Sequence, residues 1–288
     1  MGAYILPICR KNGLFEGSAE ATHHAKAEVI ATFACCCAPS DASSEGIRLA
    51  ARITAIFFFL NDIQKSELHP IIRQMQETLH GSSRDELRPQ AHFLEEYLEE
   101  IAVFGDTTLF RRQLEHFMES LLVEAAMISK GSVSHEEYRR IRHKIIFVEE
   151  YIWSWFLSER VPLSPAAYHA TAALRRLASE VVYLVNDIGS IERERAAGCV
   201  DPNLVFIMEK EHGLGADEAL TEVIRIHNET AVAFKKELER LNGPGGTVET
   251  SAIADVVDSV VAGNLETSKR LSHNRYPGSY DALSRLVF

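Results

Sequence analysis

Long apolar runs are missing from this chain. The longest, Ala55-Ile56-Phe57-Phe58-Phe59-Leu60, falls far short of the ~18–20 residues that cross a bilayer, so it predicts a buried helix segment and no membrane span. Cysteine is scarce and poorly spaced for metal. Cys9, Cys35, Cys36, Cys37 and Cys199 make an odd count of five without a CxxC pair. Three adjacent cysteines cannot share one helix face, so reduced, mostly buried thiols in a cytoplasmic protein are expected. A secretory leader is not predicted either, because Arg10 and Lys11 follow only a few apolar residues. Strand-like alternation, internal repeats and low-complexity tracts are absent. G-x-G-x-x-G, P-loop and G-x-S-x-G patterns are missing, and the twelve histidines show neither metal spacing nor a triad pattern. Basic residues are the minority: a net charge of −11 argues against nucleic acid and anionic membranes as partners. An anionic substrate stays open, because a divalent cation can stand between carboxylates and phosphates.

What is present is helical periodicity nearly everywhere, over 288 residues of which 46% are hydrophobic. Helices are predicted at 20–37, 45–66, 89–103, 107–129, 135–157, 165–196, 216–241 and 249–273. The nine prolines are expected at or near breaks, with Pro7 in an N-terminal arm. Gly243-Pro244-Gly245-Gly246 reads as a loop, and Ser132-Val133-Ser134 before Glu136 and Glu137 as a helix cap. No linker divides the chain, so residues 1–288 are expected to form one all-α domain. Two helices carry polar groups at otherwise apolar positions, so the bundle is expected to surround a pocket.

The first of those places is Asn186-Asp187-Ile188-Gly189-Ser190-Ile191-Glu192-Arg193-Glu194, directly after the apolar Val181-Val182-Tyr183-Leu184-Val185. At 100° per residue, Asn186, Ser190 and Glu194 lie on one helix face, each step rising ~6 Å. That face offers an amide oxygen, a hydroxyl and a carboxylate, all hard ligands suited to Mg²⁺. Arg193 stands beside them to hold a phosphate oxygen.

This stretch resembles the N-D-x-x-S-x-x-x-E metal motif of microbial class I terpene synthases, with Arg193 where a Lys is common. The resemblance continues in Asp201-Pro202-Asn203-Leu204-Val205, in Gly263-Asn264-Leu265-Glu266 and in Arg275-Tyr276, and covers residues 50 to 280 roughly. It implies the class I terpenoid synthase fold, an α-helical bundle around a central apolar cavity. It also implies three Mg²⁺ ions, with Mn²⁺ as a substitute, and an isoprenyl diphosphate as the small-molecule partner. A homodimer is expected from the resemblance alone. The implied activity is ionisation and cyclisation of a linear allylic diphosphate, farnesyl first and geranylgeranyl next. A prenyl-transferring synthase of the same fold is disfavoured, because it would carry a second aspartate-rich motif here. A degenerate cyclase that binds an isoprenoid without ionising it is the remaining alternative.

The resemblance also assigns roles elsewhere. Asn61-Asp62-Ile63-Gln64-Lys65-Ser66-Glu67 stands where the family has its aspartate-rich motif, and departs from it. One register gives the first place to Asn61 and loses that ligand. The preferred register gives it to Asp62, with Glu67 at the last position. Tyr138-Arg139-Arg140-Ile141-Arg142-His143-Lys144 resembles the family's diphosphate-sensing region. Counting from the tyrosine selects Arg142; counting back from Asn186 selects Arg140. Arginine suits either place, because its planar fork binds phosphate oxygens in pairs. Phe147 replaces the family's glycine at the following helix break, and Thr267 a nearby tryptophan. Arg275 and Tyr276 are expected to reach the diphosphate and the metal motif. Phe58, Phe59, Trp155 and Tyr183 are the candidate cavity wall, whose π faces stabilise a cation by ~2 kcal/mol or more when desolvated.

Overall fold

The computed structural model describes residues 1–15, 20–63, 65–81, 87–131, 133–198 and 202–288. Its elements are helices, and among the described residues no strand occurs and no helix is long and apolar enough to cross a membrane. The backbone gathers into two compact units: Met1–Leu122 with Glu149–Val161, and Val123–Val148 with Pro162–Phe288.

The first unit holds α1 (Gly2–Lys11), α2 (Glu20–Cys36), α3 (Ser44–Asp62), α4 (Lys65–Leu79), α5 (Pro89–Ala102), most of α6 (Thr108–Ser129) and nearly all of α8 (Val148–Ser158). Helix α3 starts where the Ser43 hydroxyl accepts from the Gly46 N–H, and it buries Leu49, Ile53, Ile56 and Leu60. Arg52 is buried on the same helix. It pairs with Glu96 and Glu100 of α5, and its guanidinium lies 4.9 Å from the Phe93 ring centroid. Charge and packing thus act together on one side chain. Tyr97 donates to Ser154 Oγ at 2.8 Å, joining α5 to α8.

In the second unit, the end of α6 is followed by α7 (His135–Ile145), α9 (Pro165–Ala170), α10 (Ala172–Ala197), α11 (Leu204–His212), α12 (Ala216–Asn242), α13 (Val248–Arg270), a 3₁₀ turn (Leu271–His273) and α14 (Tyr280–Ser284). Helix α10 is its axis, packed by α12, α13, α7 and α11. Its middle buries Leu174, Ala178, Val181, Val182, Leu184 and Val185, at ~1.5–3 kcal/mol for each large aliphatic side chain.

The departures from the expected helices have local causes. The run expected at 135–157 is two helices, broken at Ile146 and Phe147, where Phe147 takes φ +65°. The run at 165–196 is interrupted at Thr171. Helices α1, α4 and α14 were not expected. Pro7 lies inside α1 and Pro70 inside α4 rather than at breaks, and both are exposed. The α7 cap is Ser134, in a capping box with Glu137, while Ser132 lies outside the described residues. Cys9 and Cys37 are buried, Cys35 is exposed and Cys36 half-buried; burial pushes the Cys9 thiol up to about 12. Cys199 lies outside the described residues.

Candidate metal and diphosphate site

The polar face of α10 begins where its apolar run ends. Asn186 is half-buried, Ser190 fully buried and Glu194 partly buried, and α10 stops just beyond at Gly198, in the left-handed conformation that suits glycine. Two of the three groups that the sequence places on one face, Ser190 and Glu194, are joined by a residue from outside the helix. Asn203 donates from Nδ2 to Glu194 Oε2 at 2.9 Å, to Ser190 Oγ at 3.4 Å and to the Asp187 carbonyl at 2.9 Å. The other side-chain atom of Asn203, Oδ1, accepts from the Val205 N–H at 2.9 Å and caps α11. One amide therefore starts a helix and sets the spacing of two prospective ligands. Burial pushes the Glu194 carboxyl up, while bonds from Ser190 and Asn203 pull it back.

Helix α7 brings the first cation. Arg142 Nη2 donates to Asn186 Oδ1 at 2.9 Å and to Asp187 Oδ1 at 3.0 Å. Asp187 is 1% exposed and also accepts from the Leu204 N–H at 3.0 Å and from the Tyr138 hydroxyl. Burial raises the Asp187 carboxyl; Arg142 and the two hydrogen bonds oppose that rise. In the same pair the guanidinium of Arg142 is held charged by Tyr138 and Asp187 against its own desolvation. Arg140, the other arginine selected from the sequence, is exposed on α7. The fold thus brings Arg142, and not Arg140, to Asn186.

The segment after α13 supplies the third side. The Tyr276 N–H bonds the Leu271 carbonyl at 3.0 Å, turning the chain back so that the buried Tyr276 hydroxyl accepts from Asn186 Nδ2 at 3.1 Å. The ring lies on Gly189: a β-carbon there would stand 3.3 Å from the Tyr276 Cγ and Cδ1 atoms. The guanidiniums of Arg193 and Arg275 each lie 5.9 Å from that ring centroid. Arg142 thus meets Asn186, while Arg193 and Arg275 lie near the Tyr276 ring, and that cationic setting suits a polyanion.

In the other unit, Asp62 closes α3 and pairs with Lys26 at 3.0 Å, and Glu67 is exposed on α4. Phe58 is buried against Phe33 and Phe57, with centroids 5.3 and 5.4 Å away; Phe59 is half-buried. Trp155 is fully buried, edge-on to Tyr151. Tyr183 stacks edge-on against Tyr138 and lines a pocket of about 950 Å³ with His135, Arg139, Leu204, Met208 and His212.

Three residues of the site stand inside the motifs quoted from the sequence but have no role assigned there: Asp187, Asn203 and Tyr138 with its hydroxyl. A signal for Asp187 existed. One step beyond Asn186 on a helix turns a side chain by 100°, toward whatever packs the flank, and a carboxylate there needs a cation. Asn203 is marked in the sequence only as part of the Asp201–Val205 resemblance, and no pattern tells that its amide caps α11 and reaches Glu194.

The donor set fits a divalent cation. Asn186, Ser190 and Glu194 offer oxygen alone, and Glu194 is partly buried with Arg193 Nη2 3.5 Å from its Oε1. Among the described residues no group of three or more His, Cys, Asp or Glu side chains is placed to hold a metal, so in this unit the mixed amide–hydroxyl–carboxylate face is the candidate.

Comparison with known proteins agrees with that chemistry. Over 80 residues the chain is 36% identical to 2-methylisoborneol synthase of Streptomyces griseus, covering 27% of this chain and 18% of that protein. It is 28% identical over 174 residues to a (−)-β-caryophyllene synthase of Saccharothrix espanaensis described as cyclising (2E,6E)-farnesyl diphosphate, covering 56% and 48%. The chain spans about half the length, or less, of the curated relatives it matches. Its fold is that of the linalool/nerolidol synthase from Streptomyces clavuligerus crystallised with 2-fluorogeranyl diphosphate. The TM-score is 0.80 at 17% identity, over 93% of this chain and 96% of that one. The family model described as terpene synthase family 2, C-terminal metal binding, matches residues 52–231, more than half of the chain, and the protein belongs to that family.

Proposed function

We propose that this chain is a Mg²⁺-dependent class I terpene cyclase that ionises a linear allylic diphosphate and cyclises the resulting carbocation. Farnesyl diphosphate is the first choice of substrate and geranylgeranyl diphosphate the second. The observation that carries this reading is the oxygen face of α10 set among Arg142, Arg193 and Arg275. The description of the Saccharothrix relative as a farnesyl diphosphate cyclase supports the choice of a C15 chain.

In this reading Asn186, Ser190 and Glu194 hold metal, and Asp62 and Glu67 are further ligands on resemblance alone. Three Mg²⁺ ions would supply Lewis-acid assistance to the departing diphosphate. The guanidiniums donate to diphosphate oxygens where negative charge develops. Asp187 keeps Arg142 aimed, and Arg142 and Tyr276 hold the amide of Asn186 by its oxygen and its nitrogen. Phe58, Phe59 and Trp155 are proposed as apolar wall that keeps water from the cation.

A second reading rests on Asp62, whose carboxylate is paired with Lys26 and preceded by Asn61 in place of an aspartate. There the protein holds an isoprenoid diphosphate without ionising it. Incubation with C10, C15, C20 and C25 allylic diphosphates, with and without Mg²⁺, followed by gas chromatography, separates the two. A cyclic hydrocarbon or alcohol formed only with Mg²⁺ supports the cyclase. Binding without product gives the second reading the lead, and neither binding nor product removes both.

A further inference from the structure

The pocket of about 950 Å³ in the second unit has no part in the cyclase reading. Its walls come from α7, α10, α11 and α12, and neither the oxygen face of α10 nor Arg142, Arg193, Arg275 or Tyr276 lines it. Helix geometry accounts for the separation. On α10 the lining residues Leu177 and Tyr183 stand about 180° and 60° round from Asn186, with Asp187 between them at about 100°. The pocket therefore lies on the flank of α10 that carries Asp187. Its volume falls in the range of roughly 300–1,000 Å³ that takes in a drug-sized molecule.

Leu177, Leu204, Met208, Leu214 and Ile226 make its apolar lining. The acidic side chains of α12 that reach it are engaged already. Glu218 accepts from the Gly215 N–H at 3.0 Å, and Glu222 and Glu229 pair with Arg225. The basic side differs. Arg139 pairs with no carboxylate among the described residues, and His135 Nε2 is buried without a hydrogen-bond partner there. The His212 ring stands edge-on to His135, with centroids 6.0 Å apart, while Glu211 accepts from the His135 backbone N–H at 2.6 Å. Burial and the neighbouring Arg139 hold the His135 imidazole below its ordinary range, so its ring is neutral at pH 7. Tyr183 is 2% exposed, and its hydroxyl has no hydrogen-bond partner among the described residues. Buried polar atoms are almost always satisfied, so these groups point to a ligand or water. One permanent cation beside two imidazoles suits a monoanion with paired acceptor oxygens, and a carboxylate is such a group.

Two walls of the pocket touch the groups that aim Arg142. The Leu204 N–H donates to Asp187 Oδ2 at 3.0 Å, and the Tyr183 ring stands edge-on to Tyr138, whose hydroxyl also donates to Asp187. Asp187 in turn accepts from Arg142 at 3.0 Å.

We propose that this pocket binds a single-chain carboxylate, its head on Arg139 and the two histidines and its chain along the apolar lining, and that occupancy raises turnover. A ligand that fits the formed pocket favours the conformation in which Leu204 and Tyr138 hold Asp187 on Arg142. Binding stands apart from the cyclase reading; the effect on turnover rests on it.

The test of binding is isothermal titration calorimetry of the full chain with decanoate, and with decanol as the neutral control. Decanoate is expected to bind at a single site, and decanol roughly tenfold more weakly or worse. Arg139→Ala and Ala233→Trp, both at exposed positions lining the pocket, are expected to weaken decanoate by roughly tenfold or more, whereas Asn186→Leu leaves its affinity unchanged. Equal affinity in the wild type and both pocket variants, or loss in Asn186→Leu alone, overturns the site. Turnover at saturating allylic diphosphate and Mg²⁺, where competition for the substrate site vanishes, reads the coupling. Decanoate is expected to raise kcat by roughly twofold or more in the wild type and not in Arg139→Ala. An unchanged or lower kcat overturns the coupling. No product from any allylic diphosphate overturns the cyclase reading and the coupling with it, while calorimetry still decides the site.

Discussion

Arg142 Nη2 stands 2.9 Å from Asn186 Oδ1 and 3.0 Å from Asp187 Oδ1, so one guanidinium nitrogen links a prospective metal ligand to a buried carboxylate. Two effects can be separated. Arg142→Lys keeps a charge but loses the fork, and kcat is expected to fall by roughly 10²-fold, the usual cost of a misplaced donor to developing charge. Arg142→Ala leaves Asp187 buried without its counter-charge and is expected to cost about 3–5 kcal/mol in urea unfolding. A fully stable, fully active Arg142→Lys would rule out an oriented guanidinium.

Asn203 does two jobs that substitution can divide. Asn203→Ala removes the donor to Ser190 and Glu194, and the half-saturating Mg²⁺ concentration is expected to rise ten- to hundredfold, with ~1 kcal/mol lost from the helix cap. Asn203→Ser keeps a capping side chain and is expected to show the same Mg²⁺ defect at nearly wild-type melting temperature. Normal Mg²⁺ dependence in both would show that Asn203 only caps α11.

Gly189 is open to a simple steric test. A methyl group there meets the Tyr276 ring at 3.3 Å and must push it by a few tenths of an ångström. Gly189→Ala is expected to gain up to ~1 kcal/mol of helix propensity. Its turnover should nevertheless fall, because Tyr276 loses its bond to Asn186. Tyr276→Phe should match that loss without the gain in stability. If Gly189→Ala turns over normally, contact with Tyr276 is not needed for catalysis.

The ligand face itself is tested by Glu194→Gln and Asn186→Leu. Each is expected to abolish turnover while circular dichroism keeps its helical signal. Near-normal activity in both variants would sink the metal assignment.

Glu150 offers a pH measurement in the other unit. It is 4% exposed in the first turn of α8, and burial pushes its carboxyl well above the ordinary glutamate range. A carboxyl raised on folding favours the native state most below its unfolded pKa of ~4.3, and that contribution is lost as pH rises toward the folded value. The contribution of Glu150 to stability should therefore fall as pH rises from about 4.5 toward its folded value, by at most ~1.4 kcal/mol per unit. Glu150→Gln should flatten the curve and be the more stable protein at pH 7. Parallel curves for the two proteins would mean that Glu150 ionises in the folded state.

Much of this site was legible before any coordinates. The ligand face on α10 follows from a spacing of four residues on a helix, which is local geometry. Arg275 and Tyr276 are marked by their neighbours in the chain; the fold places the Tyr276 hydroxyl on Asn186, with the Arg275 guanidinium 5.9 Å from the Tyr276 ring. The kink at Phe147 was less legible, because the periodicity of 135–157 runs through it and the left-handed conformation falls on a residue with a β-carbon.

The choice between Arg140 and Arg142 shows where sequence reading ends. Both are arginines on one helix, two positions and thus 200° apart, and counting from different landmarks selected different residues. Packing decided it: the flank of α7 that buries Tyr138 against α10 also carries Arg142 to Asn186, and turns Arg140 to solvent. Asn203 and Asp187 belong to the same class. Their roles are contacts across 9 to 49 residues of chain, and no local pattern encodes such a contact.

By itself the sequence determined what repeats locally: the helical periodicity, the oxygen face of α10, the acidic net charge, and the motifs that resemble terpene synthases. Tertiary structure decided which cation meets that face and which amide braces it. Helix geometry depends on residues three or four apart, whereas those decisions depend on which buried surfaces pack together, and packing brings distant residues within 3 Å.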